Sequence, residues 1–195
     1  MIRLLLARHG TVFAEGETKV MLGLGTDRPM TDAGRPQVEH LAASLKSLGV
    51  APDEIHCGTL KRHRETAELL ARELGGPAVR ETAALNEISY GSWEGLNKDE
   101  VMARDAKAFE GFKLRGEWSE EIFGIKRSDK EAALKAWLDE VWKSRAGEGT
   151  ILAVSSMGTL RTLYGVFDPA KFSEYARRGR AAEKTGVTHA HWCEV

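Results

Sequence analysis

A chain of 195 residues is long enough to bury one sizeable core and short for two, so it is read as a single domain with a modest insertion. With 28 basic against 29 acidic residues and a formal net charge of -1, it lacks the charge excess of a nucleic-acid or anionic-membrane binder, although a local basic pocket for a small anion would not show in that total. The two cysteines, Cys57 and Cys193, match no metal-ligand spacing and fit reduced thiols in a cytoplasmic protein; the apolar run Leu4 to Ala7 is too short for a signal segment, and no window approaches the roughly 20 apolar residues of a membrane span.

The chain opens on an apolar run, residues 2–7, that ends in Arg8, His9, Gly10 and Thr11. Such a run predicts a strand buried on both faces, and polar residues at its exit sit where parallel sheets hold their ligands, which makes His9 a candidate nucleophile. A loop with Gly16, Gly23, Gly25 and Pro29 leads to a helix start at 31–34, with regular helix expected from about Arg35 because Pro36 suits only a first turn. Val38, Leu41, Ala42, Leu45 and Leu48 then recur at helical spacing until Gly49. Residues 53–57 read as a second strand, 60–74 as a helix turning Ala67, Leu70, Ala71 and Leu74 inward, and 78–81 as a third strand after the stop at Gly75-Gly76-Pro77.

Residues 85–149 break this rhythm and read as an insertion. Its Tyr90, Trp93, Phe109, Phe112, Trp118 and Phe123 are expected to form a small satellite core under a lid, with pocket lining as the alternative, and Leu134, Trp137, Leu138 and Val141 mark a closing helix. Residues 150–155 predict a fourth strand, followed by a turn at Ser156-Met157-Gly158 and a helix from Thr159. A last strand is expected at 187–195; His189 and His191 share a face there, but two ligands without a third make no metal site. The pattern predicts an α/β fold, a three-layer α/β/α sandwich with a mostly parallel central sheet and a lid insertion at about 88–149. Three strand exits then meet on one edge: Arg8-His9, the segment with Arg62, and Ser156.

Four ordered blocks carry a resemblance. Arg8-His9-Gly10-Thr11, Leu60-Lys61-Arg62-His63-Arg64-Glu65-Thr66-Ala67, Leu85-Asn86-Glu87 with Gly91-Ser92-Trp93-Glu94-Gly95, and Asp27-Arg28-Pro29-Met30-Thr31-Asp32-Ala33-Gly34 are similar to the signature segments of the histidine phosphatase superfamily, the phosphoglycerate-mutase-like proteins. The resemblance runs from Ile2 to about Gly95 and returns from Ile151 to Leu163. It implies a phosphohistidine mechanism in which His9 attacks phosphorus, Arg8 and Arg62 clamp the phosphoryl oxygens through paired charge-assisted hydrogen bonds, and Glu87 is general acid and then base. It also implies that Gly10, Thr11, Ser156 and Met157 line the substrate site, that Gly10 admits close approach of the anion, and that neither metal nor cofactor is required. Thr66 and Ala67 are assigned to packing and helix support.

The sequence departs from the pattern where the family carries a second histidine after the fourth strand. Ser156 stands there, Met157 replaces a glycine, Gly58 replaces a serine, and Glu15 lies near a usual asparagine. A hydroxyl still donates one hydrogen bond but brings neither the charge nor the reach of an imidazolium. His63 is the other imidazole at hand, but it neighbours Arg62 on a helix, where consecutive residues point about 100° apart. The function expected is phosphatase action on a small phosphorylated metabolite; phosphoglycerate-mutase-type transfer and a catalytically impaired phosphate-binding member are the alternatives, and a homodimer is left open.

Overall fold

The computed structural model describes residues 2–167 and the backbone of 190–194. Strands β1 (Ile2–Arg8), β2 (Glu54–Cys57), β3 (Ala78–Glu81), β4 (Gly149–Ser155) and β5 (Ala190–Glu194) form one sheet in the order β3-β2-β4-β1-β5. The first four are parallel: β1 runs beside β4 from Ile2 opposite Gly149 to Arg8 opposite Ser155, and β2 joins β4 with Cys57 opposite Val154. Only β5 is antiparallel, with Leu5 opposite Trp192. The helices are α1 (Gly34–Ser47), α2 (Lys61–Glu73), α3 (Lys98–Glu110), α4 (Glu120–Phe123), α5 (Arg127–Ser144) and α6 (Met157–Phe167).

Alternation along the strands divides the core. Leu5, Ala7, Ile55, Cys57, Leu152 and Val154 face α1 and α2, where they meet Val38, Leu41, Leu45 and Leu70. On the other face Leu4, Leu6, Ile151 and Ala153 meet Leu134, Trp137 and Val141 of α5 and Leu160 and Leu163 of α6. Both faces of β1 are therefore covered, which is why its sequence is continuously apolar. The expected three-layer sandwich is the fold found.

The segment read as one insertion divides in two. Its aromatic part forms the expected satellite core, with Trp93 wholly buried against Phe109, Phe112 and Phe123. Its last helix, α5, instead belongs to the sandwich, because Leu134, Trp137 and Val141 pack on the sheet. The helix α1 starts at Gly34, at the end of the expected start at 31–34, with Pro36 inside its first turn, where a missing N–H has no cost. One boundary differs from expectation. No separate turn follows β4: α6 begins at Met157, leaving Ser156 as the single residue between strand and helix. His189 and the side chains of His191 and Cys193 lie outside the described residues.

Candidate active site

The parallel register brings the carboxyl ends of β1, β2 and β4 together, and the chain leaving β3 supplies a fourth component. His9 lies one residue beyond β1 and extends the ladder, its N–H donating to Ser155 O at 3.0 Å. Its side chain is 8% exposed, and Nδ1 is 2.7 Å from Gly10 O. A carbonyl only accepts, so Nδ1 carries the proton and the Nε2 lone pair is unprotonated. Burial, reinforced by Arg8, His63 and Arg62, holds the imidazole well below its ordinary pKa. His9 is thus neutral near pH 7.

Arg62, 1% exposed, is fixed by three different groups: Nη1 donates to Thr26 O at 2.7 Å, Nη2 to Gly23 O at 3.1 Å, and Nε to Ser156 Oγ at 3.4 Å. Three of its five N–H groups are thereby committed, and two are left for an anion. The loop that holds it is itself tied to Glu94, whose Oε1 accepts from Gly23 N and Thr26 Oγ1. Glu94 is a residue of the Gly-Ser-Trp-Glu-Gly block, so that block braces the guanidinium from behind.

Glu87 follows β3 and sits at the amino end of α6. Oε1 accepts from Ile88 N at 2.8 Å and Thr159 N at 3.0 Å; Oε2 accepts from Gly158 N at 3.1 Å and Tyr90 Oη at 3.4 Å. A carboxylate suits the first turn of a helix because the N–H groups there have no helical acceptor. Gly158 is required for this contact, since a Cβ at 158 would lie 2.7 Å from Glu87 Oε1. Lys130 on α5 donates to Ala84 O and Asn86 O at 2.9 and 2.6 Å, anchoring the backbone just before Glu87. Burial draws its pKa down to about 8, against the opposing attraction of Glu87.

The remaining expected site residues are placed differently from one another. Gly10 is closely packed: a Cβ there would clash with Met30 Sδ and lie 2.8 Å from Gly34 O at the start of α1, and its N–H donates to Thr66 Oγ1. Thr11 is also taken up in the loop, its N–H bonded to Gln37 Oε1 and its hydroxyl accepting from Phe13 N. Met157 packs against the apolar cluster of α5 and α6. Glu15 is exposed on a turn, where its charge is solvated. Ser156, 2% exposed, lies within the cluster: His63 Nε2 is 2.7 Å from its Oγ, and the rings of His63 and His9 are 5.5 Å apart.

Helical spacing separates His63 from Arg62, but α2 points its amino end at Ser156, so Arg62 and His63 both reach its hydroxyl oxygen. A signal was present in Gly58, because a Cβ there would clash with His63 Nδ1. Thr66, assigned to packing, does more: its hydroxyl accepts from Gly10 N and donates to Arg62 O, locking the exit of β1 to α2. The roles of Lys130, Thr159 and Glu94 have no local sequence signature.

The family model described as the histidine phosphatase superfamily (branch 1) matches residues 4–194. The chain belongs to this superfamily. Curated relatives of this superfamily member include a 2,3-bisphosphoglycerate-dependent phosphoglycerate mutase of Brucella ovis, 28% identical over 181 residues that cover 85% of this chain and 81% of that protein. A mutase of the same description from Methylobacterium is 37% identical over 106 residues, 53% of this chain and 50% of that protein. The chain spans about half the length of several of the curated relatives it matches. Among solved structures, mycobacterial glucosyl-3-phosphoglycerate phosphatase aligns with a TM-score of 0.74 at 22% identity, covering 90% of this chain and 83% of that one. A phosphoserine phosphatase variant from Entamoeba histolytica, in complex with phosphoserine, aligns with a TM-score of 0.68 at 23% identity, covering 91% and 85%. At these identities the two structures speak for the fold. Among the described residues, no three His, Cys, Asp or Glu side chains are grouped to hold a metal ion, and no helix is long and apolar enough to cross a membrane.

Proposed function

We propose that the protein hydrolyses a small phosphomonoester through a phosphohistidine formed at His9. The observation that carries this reading is the hydrogen bond from His9 Nδ1 to Gly10 O, which leaves Nε2 as a neutral, oriented nucleophile within the electrostatic reach of Arg8 and Arg62. Nε2 attacks phosphorus in line, the bond to the ester oxygen breaks, and Arg8 and Arg62 take up charge on the non-bridging oxygens. Glu87 supplies the proton that the departing alkoxide needs. Water then attacks phosphorus, Glu87 takes its proton, and cleavage of the P–N bond returns neutral His9 and phosphate. Burial of His9 and Arg62 favours a small metabolite over a protein substrate.

The test uses an aryl phosphate and a panel of sugar, nucleoside and amino-acid phosphates, with radiolabelled phosphate traced by rapid denaturation. An acid-labile, base-stable phosphoryl group mapped to His9, abolished in His9→Ala and still formed in a chelator, is expected. Turnover strictly dependent on an added divalent ion, or retained in His9→Ala, overturns the mechanism.

A second reading, phosphoglycerate-mutase-type transfer, is favoured by the mutase relatives. Incubation with 3-phosphoglycerate and 2,3-bisphosphoglycerate separates the two, because a mutase returns the isomer and a phosphatase releases inorganic phosphate. No turnover with retained phosphate-ester binding would instead mark an impaired binding member.

A further inference from the structure

Ser156 has one hydroxyl proton and two lone pairs to distribute. Among the described residues its Oγ has two partners, Arg62 Nε at 3.4 Å and His63 Nε2 at 2.7 Å. The guanidinium only donates, so it occupies one lone pair. The tautomer of His63 decides what happens to the other.

His63 is fully buried, and its Nδ1 has no hydrogen-bond partner. A proton on Nδ1 would leave a buried N–H orphaned and would also draw the Ser156 proton onto Nε2. A proton on Nε2 leaves only an unused lone pair at Nδ1, the less costly defect in an interior. In that tautomer both Ser156 lone pairs are filled by donors, and among the described residues the Ser156 O–H has no acceptor. The His63 ring that holds this hydroxyl lies 5.5 Å from the ring of His9.

We propose that His63 is a positioning residue: its Nε2–H fixes and polarises the Ser156 hydroxyl, which then donates to a non-bridging oxygen of a bound phosphoryl group. His63 does not touch the substrate; it acts through Ser156. Gly58 belongs to the same unit, since any side chain there would displace the imidazole. The helix α2 thus delivers two donors to one oxygen, Arg62 as a charge and His63 as a fixed dipole. The proposal rests on phosphoryl chemistry at His9, but the hydroxyl it prepares would serve any tetrahedral oxyanion held there.

Two measurements on the intact protein test it without requiring turnover. Long-range proton–nitrogen correlation spectra are expected to show His63 protonated at Nε2; an Nδ1–H tautomer overturns the proposal. Calorimetric titration with orthovanadate is expected to show binding weakened about 100-fold by Ser156→Ala, the loss typical of one oxyanion donor. His63→Phe is expected to weaken it about 10-fold, the equivalent of one lost hydrogen bond. His63→Gln, which keeps an N–H donor, should recover most of that loss and guards against a misfolded Phe variant. In the Ser156→Ala background His63→Phe is expected to add no further loss, because the residue acts only through the missing hydroxyl; additive losses overturn the proposal. A protein that fails to label His9 but shows this pattern would sink the catalytic reading and leave the His63–Ser156 pair standing.

Discussion

At the scale of single residues, the site depends on two imidazoles held uncharged. Burial is the main cause at His63 as at His9, with Arg62 and Lys130 adding to it at His63. Both folded pKa values lie below the unfolded value of about 6.5, so above that pH the groups are neutral in both states and contribute nothing to pH dependence. As pH falls through 6.5 the unfolded chain takes up protons that the folded one refuses, and stability drops by about 1.4 kcal/mol per group for each further pH unit until the folded pKa values are reached. Urea unfolding at pH 7.5, 6.0 and 5.0 is expected to show this decline, with a shallower slope in His63→Gln. An equal slope in the two proteins would mean that His63 is protonated when folded. The same depression predicts that the acid limb of kcat/KM lies below pH 6.5, because His9 keeps its lone pair there.

Among elements, the junctions between strands and helices do more for the site than the elements themselves. The β4–α6 junction is one residue long, so Ser156 is held between a strand paired along its length and a helix whose first N–H groups are bonded to Glu87. The β2–α2 junction carries Gly58, and its lack of a side chain is what lets His63 lie inward. Gly58→Ala is expected to cost about 1–3 kcal/mol, as overpacking in a filled interior does, and to be partly relieved in a His63→Ala background, which removes the tightest of its contacts. Comparison of the midpoints of denaturant unfolding for the four proteins checks this; a cost undiminished in the double variant would mean that Leu85 O or Asn86 Oδ1, also within 3 Å of that position, is the obstacle.

For the whole molecule, stability and site geometry share residues. Trp137 of α5 is 4% exposed, packs on the sheet and donates from Nε1 to His56 Nδ1 at 3.1 Å, while Lys130 on the same helix holds the approach to Glu87. Trp137→Ala is expected to destabilise the protein by about 3–5 kcal/mol in urea unfolding, the cost of emptying a large core position. A loss below 1 kcal/mol would show that α5 is peripheral. Arg161 on α6 bonds Phe112 O and lies 5.3 Å over the Phe112 ring, joining the sandwich to the aromatic cluster.

Much of this was legible in the order of residues, because strand and helix periodicities are local properties. The continuous apolar run of β1, the striped helices α1 and α2, the alternation that implies a parallel sheet, and the Arg8-His9, Arg62 and Glu87 blocks could all be read along the chain. What the order of residues did not determine was which neighbours each group meets from distant parts of the chain. That Glu87 caps α6, that Gly10 is closely packed by Met30, that α5 joins the sheet and not the aromatic cluster, and that His63 bonds Ser156 all follow from the sheet register and the direction of α2. Helical spacing separates His63 from Arg62 in angle but says nothing of a third residue lying between their reaches; only the packed tertiary structure puts Ser156 there.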